Sequence, residues 1–470
     1  MAKQLTRLSA AELARLIRTK KLSPVEVIEA HLAGIERVNP AVNAFCTVVP
    51  EKSLEWAREA EAAVKKRGKL GPLHGVPVAI KDLTPTAGIR TTFGSTLFRD
   101  HVPVEDAEIV RKLKAAGAVI LGKTNTPEFG AGANTVNKVF GATRNPWNTA
   151  LSASGSTGGG AAALAARLTP LAEGSDFGGS LRTPAAFCGV VGLRTTPGLV
   201  ARHPTALPWH DQSVTGPMAR SAEDCALLLD AMTGFSLKSP LSVHAPWKSA
   251  RDAVAKARSL RGLRLAYAPD IGGIGVDPEI ERVCRAAALD LRDARAQVDE
   301  IEINLSEGRD AFIALRGEAM VGNHLDRLER IGELDDNLAG NIRAGLALTI
   351  SEIARAEISR AAIWHRWRSL FEKYDLVLSP AAPVPPFPIE KSYPDVVEGR
   401  KLQNYMDWIA LNFLVSLAAL PAASVPAGLS AARLPVGLQI AGPRFSEPVI
   451  LSAAKFVEES HPIGLPPNCA

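Results

Sequence analysis

Ser152–Thr196 reads SASGSTGGGAAALAARLTPLAEGSDFGGSLRTPAAFCGVVGLRTT, and two Ser-Gly clusters inside it govern how the rest of the chain is read. The first is Gly155-Ser156-Thr157-Gly158-Gly159 and the second is Gly178-Gly179-Ser180. Glycines gathered in this way mark backbone brought close to something, or held at dihedrals that a side chain forbids. A serine beside them is presented next to free backbone N–H groups. Acyl transfer needs that pairing, because a nucleophilic oxygen and an oxyanion hole must converge on one carbonyl. Between the clusters, AAALAAR predicts a tight small-residue helix whose N-terminal N–H groups face the glycine loop. GSTGGG alone would suit a flexible linker, but apolar, periodic sequence on both sides argues against one.

Outward from this stretch, strands alternate with helices. Upstream, residues 9–38 predict two amphipathic helices, the first capped by Ser9 and the second by Ser23 with Pro24 and Glu26. VNAFCTVV reads as a strand, the next helix ends at Gly68, and a strand over Val76–Ile80 runs into Lys81-Asp82. A helix follows from Glu105 to Ala116. Downstream come a turn at Gly216-Pro217, a helix from Ser221, and the strands LRLAYAPD, VDEIEI, DLVLS, AASVPAG and LPVGLQIAG. Strands apolar on both faces and alternating with helices imply an α/β fold, a single large mixed β-sheet sandwiched by helices. The whole chain, 1–470, is expected to be a single domain. Residues 70–235 and 400–460 would form its catalytic core, and about 235–400 a variable helical lobe shaping the substrate pocket.

Composition narrows the function classes. The net charge of +5 is small for 470 residues and no basic run exceeds three, so nucleic-acid binding has no electrostatic footprint. The five cysteines are odd in number and far apart, which argues against a disulfide framework or a zinc site. With no apolar leader and no long apolar run, the expectation is a cytoplasmic protein without membrane association.

Several residues compete for chemistry. Lys81 follows VPVAI at the tip of a buried strand, where desolvation would favour the neutral amine, although most lysines at strand ends are solvated. Gly117–Thr124 matches the phosphate-loop string G-x-x-x-x-G-K-[ST], but Ala118–Leu121 read as the strand itself and Gly117 as a helix end, so nucleotide binding is rejected. Neither serine has the G-x-S-x-G setting of a Ser-His-Asp hydrolase, and the nine histidines are scattered. His74 reads as a packing residue. Cys188, in FCGVVGL, reads as an inert thiol at the start of a buried strand. Two serines and a lysine remain.

GVPVAIKD, GKTNTPEF, GSTGGGAAALAA, GSDFGGSLRTPAAFCGVVGLR, SVTGPMAR and LPVGLQIAG together resemble the amidase signature family, with matches from about residue 24 to 459. The resemblance implies a Ser-cisSer-Lys triad: Ser180 as nucleophile, Ser156 as bridging serine after a cis bond from Gly155, and Lys81 as base. It also implies an oxyanion hole from the N–H groups of Phe177, Gly178, Gly179 and Ser180, an acyl-enzyme intermediate, and neither metal nor cofactor. Gly130, Ala131 and Gly155 are expected at the substrate, the first two small where bulkier residues often line the acyl pocket. Thr157 and Ser175 depart from the usual serine and threonine but keep a hydroxyl. Ser416, Ala419 and Ala432-Arg433 depart further and bear on substrate choice. The implied activity is hydrolysis of a small carboxylic amide, aryl amides and carbamates included, by a chain whose relatives often form homodimers. The alternatives are the A subunit of a tRNA-dependent amidotransferase releasing ammonia from glutamine, and a non-catalytic binding protein on the same fold.

Overall fold

A computed structural model describes residues 2–66 and 69–467. The helix end expected at Gly68 lies outside the described residues, as does Cys469. The principal sheet has eleven strands. In chain order they are β1 (Phe45–Val48), β2 (Pro77–Lys81), β3 (Val119–Thr124), β4 (Leu171–Asp176), β5 (Val191–Arg194), β6 (Val214–Ala219), β7 (Arg264–Tyr267), β8 (Gln297–Glu300), β9 (Leu376–Pro380), β10 (Ala422–Leu429) and β11 (Pro435–Ala441). Their order across the sheet is β1-β3-β2-β4-β6-β5-β10-β11-β9-β7-β8. The trio β3-β2-β4 is parallel, as is β9-β7-β8, while every other neighbouring pair is antiparallel. The sheet is therefore mixed, and β7 and β8 extend it.

Alternation along the strands divides the core in two. On β2 and β3, Val78, Ile80 and Ile120 pack into one apolar cluster, while Ala79, Val119 and Leu121 pack into another on the opposite face. Helices cover both. On the second face lies the small-residue helix Gly158–Ala165, every residue of which is buried. Its glycines permit the approach: a Cβ on Gly159 would lie 2.4 Å from the Asn125 amide nitrogen. Only a helix without side chains on that edge fits so close to the sheet.

The caps expected for the first two helices are present. Ser9 accepts from the Glu12 N–H, and Ser23 and Glu26 form a full capping box. The phosphate-loop string is a strand, as its context implied, and Gly122 serves it by close approach, since a Cβ there would lie 2.0 Å from the Thr47 carbonyl oxygen. Three local expectations are corrected. Gly216-Pro217 is the middle of β6, not a turn; β5 pairs with β6 only at Met218 and Ala219, so on that side a residue lacking an N–H is tolerated just before the ladder begins. Cys188 ends the helix Arg182–Cys188 instead of starting a strand, with Gly189 in the left-handed conformation (φ 68°) closing the turn. The helix expected from Glu105 starts at Glu108. Asp106 instead accepts from the Ala87 N–H and pairs with Lys114, which holds the chain before it in a loop.

Candidate active site

β2 and β4 run parallel, so their last residues emerge at the same edge of the sheet. Lys81 ends β2, while Ser175 and Asp176 end β4. The carboxyl ends of parallel strands are where open α/β sheets build their sites. Here the two Ser-Gly clusters meet. The Thr157 N–H donates to the Ser180 carbonyl (3.2 Å), and the Thr183 hydroxyl bridges the carbonyls of Gly155 and Gly179 (3.2 Å each). The Gly155–Ser156 peptide is cis.

Lys81 is completely buried. Its Nζ lies 2.7 Å from Ser156 Oγ, 2.9 Å from Thr157 Oγ1 and 3.1 Å from Ser175 Oγ. Thr157 and Ser175 are the two departures that kept a hydroxyl, and both hydroxyls serve the lysine. Burial pushes the ammonium down to about 7, against the opposing pull of the Glu173 and Asp176 carboxylates. A neutral amine has two N–H donors and one lone pair. The Thr157 hydroxyl donates to the Ser175 carbonyl (3.2 Å), so its oxygen is left to accept from Lys81. The second N–H and the lone pair are left for the Ser156 and Ser175 hydroxyls.

Behind Lys81 lies a second buried lysine. Lys123 donates to the Thr84 carbonyl and to the hydroxyls of Thr86 and Thr91 (3.0 Å each). Burial lowers it to about 8, with Asp82 and Glu173 opposing. Glu173 itself accepts from the Lys81 N–H (3.1 Å) and the Thr84 hydroxyl, while burial raises its carboxyl above the usual range.

Asp176 shapes the second Ser-Gly turn. Its carboxylate accepts from the N–H groups of Gly179 (3.0 Å) and Leu181 (3.1 Å), drawing Phe177–Ser180 into a tight loop in which Gly179 has φ +130°. The Gly179 N–H is thereby committed. Those of Phe177, Gly178 and Ser180 make no hydrogen bond among the described residues. Arg182 and Arg194 pair with the same carboxylate at 2.9 and 3.3 Å, all three fully buried. Burial alone would raise Asp176, but the two guanidiniums overcome it and hold the carboxyl at about 2. Arg182 spends its remaining donors on the Asn412 carbonyl, Gln439 Oε1 and Ser416 Oγ. Ser416, noted in the sequence as a departure, is thus one of the ligands of this guanidinium.

A cleft of about 550 Å³ opens over these groups. Ser156, Gly155, Gly130 and the Phe177–Ser180 loop line it. Ser156 is 3% exposed, whereas Ser180 is half-buried and its hydroxyl has no hydrogen bond among the described residues. Gly130 (φ +76°) leans over the bridging position: a Cβ there would lie 2.9 Å from Leu83 and 3.4 Å from Ser156 Oγ. Ala131 turns the other way, into an apolar cluster with Met320, Leu338 and Ile342, and does not line the cleft. Cys188 is buried, and burial drives its thiol far above its ordinary range, as expected of an inert core residue. His74 packs with Nε2 2.9 Å from the Ala60 carbonyl.

Sequence reasoning missed several lining residues. His101, His203, His210 and His324 face the cleft from separate segments, as do Phe93, Phe98 and Phe129. Phe93 and Phe129 stack at 5.7 Å, and both occupy the left-handed region (φ 55° and 46°). FG dipeptides at both positions were the one local signal for this. The rest comes from loops and helices distant in the chain.

The fold, with its buried lysine beneath two joined Ser-Gly turns, is that of an amide-hydrolysing enzyme. More narrowly, the chain belongs to the amidase signature family: the family model described as Amidase matches residues 26–451. It is 38% identical to an acylamidase of Rhodococcus erythropolis over 97% of this chain and 96% of the relative. It is 37% identical to the A subunit of the glutamyl-tRNA(Gln) amidotransferase of Methylococcus capsulatus, covering 95% and 96%. A crystal structure of a bacterial aryl acylamidase of the amidase signature family superposes with a TM-score of 0.89 at 28% identity, covering 97% and 96%. No helix among the described residues is long and apolar enough to cross a membrane.

Proposed function

We propose that the chain is a free-standing amidase that cleaves small carboxylic amides, aryl amides among them, through Ser180, Ser156 and Lys81. The observation that carries this is the fully buried Lys81, held down to about 7 and 2.7 Å from Ser156 beside the Ser180 turn. A lysine about half neutral at pH 7 is a competent general base. With the substrate carbonyl seated, Lys81 draws a proton through Ser156 from Ser180. The Ser180 oxygen bonds to the carbonyl carbon, and the N–H groups of Phe177, Gly178 and Ser180 receive the oxyanion. The Gly179 N–H, committed to Asp176, shapes the loop instead. The C–N bond then breaks as the proton returns through Ser156 to the amine. Water adds to the acyl-enzyme by the same relay and releases the acid. The scheme needs no cofactor.

The amidotransferase relative keeps a second reading open, ammonia release from glutamine for a partner. The cleft lining weighs against the α-ammonium of glutamine, though not against its α-carboxylate. No aspartate or glutamate lines the cleft among the described residues, so the ammonium of glutamine would meet no countercharge. The test is to incubate the purified chain alone with anilides, aliphatic amides, a carbamate and glutamine, beside Ser180→Ala and Lys81→Ala. Amine release from anilides that disappears in both variants is the expected result. Ammonia from glutamine alone would favour the amidotransferase reading, and activity surviving in Ser180→Ala would end the triad reading.

A further inference from the structure

The cleft is one-sided in charge. Among the described residues three guanidiniums line it, those of Arg202, Arg316 and Arg327, and no carboxylate does. Arg327 is partly neutralised by Asp326 at 3.0 Å and sits against the rings of Phe98 and Phe129. Arg202 donates to the Ser213 carbonyl. Arg202 likewise has no carboxylate within ion-pair distance among the described residues, but Arg316 is the more deeply buried of the two and is held from more sides. It is 5% exposed, carried by the helix Arg309–Asn323, and no carboxylate lies within ion-pair distance of it among the described residues. Its Nε donates to Asn341 Oδ1 (3.1 Å) and its Nη2 to the Tyr405 hydroxyl (3.1 Å). Asn341 Nδ2 also donates to that hydroxyl (2.7 Å), so the guanidinium is held in one orientation from two sides. Its plane rests on Phe177, with Cζ 5.1 Å from the ring centroid, and Nη1 is left without a hydrogen bond among the described residues.

A buried guanidinium without a countercharge is costly, and a ring face offsets only part of the cost. Such a group persists where a ligand completes it, and a guanidinium with free N–H donors is shaped to receive a carboxylate. We propose that Arg316 is a specificity-determining residue: the preferred amide carries a carboxylate, which Arg316 receives from across the Phe177 ring. This rests on the amidase reading above and narrows its substrate class to anionic amides. The carboxylate belongs either to the acyl part or to the amine part, and both supply the same chemistry to the guanidinium.

Two matched substrate pairs test it. The acyl-side pair is the mono-4-nitroanilide of glutaric acid against its uncharged isostere, 5-methylhexanoyl-4-nitroanilide. The amine-side pair is 4-acetamidobenzoate against 4-isopropylacetanilide. The expected result is that the carboxylate member of one pair is favoured in kcat/KM by about tenfold or more, the scale of one hydrogen bond to a charged group. Arg316→Gln should erase that preference through KM and leave the neutral member little changed, while Arg316→Lys restores part of it. Equal loss on both members would mark Arg316 as a structural support and overturn the proposal. So would a wild-type enzyme that cleaves the neutral members and shows no preference in either pair, although amide hydrolysis would then stand. If no member is cleaved, calorimetric binding of the same pairs to the wild-type chain decides. Tighter binding of a carboxylate member upholds the Arg316 site while the amidase reading falls, and equal binding ends both. Because the wild-type comparison stands alone, a variant that fails to fold does not remove the test.

Discussion

Titrating the enzyme from pH 5.5 to 9 should show kcat/KM rising through a midpoint near 7 and then levelling, because only neutral Lys81 accepts a proton. The magnitude follows from burial. At pH 7.5 a lysine at its ordinary value of 10.5 is roughly 0.1% neutral, whereas one held at about 7 is roughly three-quarters neutral. Desolvation therefore raises the competent fraction by roughly 700-fold. The same shift has a stability cost of definite sign. Between pH 7 and 10.5 the unfolded chain holds a proton on Lys81 that the folded chain has released, so stability rises with pH across that window and is flat below it. Lys81→Met lacks this term. Its stability relative to the wild type should improve by about 2–3 kcal/mol as pH falls from 9 to 7, while its activity is lost. Glu173→Gln sharpens the test. The Glu173 carboxylate opposes the burial shift, so removing its charge should move the acid limb of the rate profile to lower pH. Initial rates on one neutral anilide and chemical denaturation at several pH values provide the data. A rate profile centred near 10, or an acid limb moved upward in Glu173→Gln, would refute the reasoning.

Other substitutions probe the surroundings. Asp176→Asn leaves Arg182 and Arg194 buried without their countercharge and should destabilise the fold by about 3–5 kcal/mol, read as a lowered denaturation midpoint. For the wild type, the stability Asp176 contributes is present above its unfolded value of 3.8 and is lost as pH falls towards 2. Gly130→Ala forces a Cβ at φ +76° against Leu83 and Ser156, so the denaturation midpoint should drop modestly and kcat of the folded variant should fall several-fold or more; full activity would mean that the Ser156 hydroxyl has room to spare. Cys188→Ala should retain activity, since a buried thiol held protonated is no nucleophile; loss of turnover in a folded variant would contradict that.

What the sequence determined by itself was local. Periods of two and 3.6, capping residues and Gly/Pro punctuation outlined the alternating strands and helices, and the clustered glycines marked the turns around Ser156 and Ser180. Lys81 at the end of VPVAI was visible as a candidate, but whether it met water or apolar surroundings was not, because burial depends on what packs from elsewhere in the chain. Only the tertiary structure decided that Thr157 and Ser175 close around its Nζ, that Asp176 takes the Gly179 N–H, and that Ser416 supports Arg182 from more than 230 residues away. It also decided that Pro217 lies in a strand, because its neighbour β5 pairs only beyond it. The residues facing the cleft, Arg316 and four histidines among them, come from segments far apart in sequence. Local spacing records the conformation of a segment, whereas charge and shape in a cleft are sums over segments that only folding brings together.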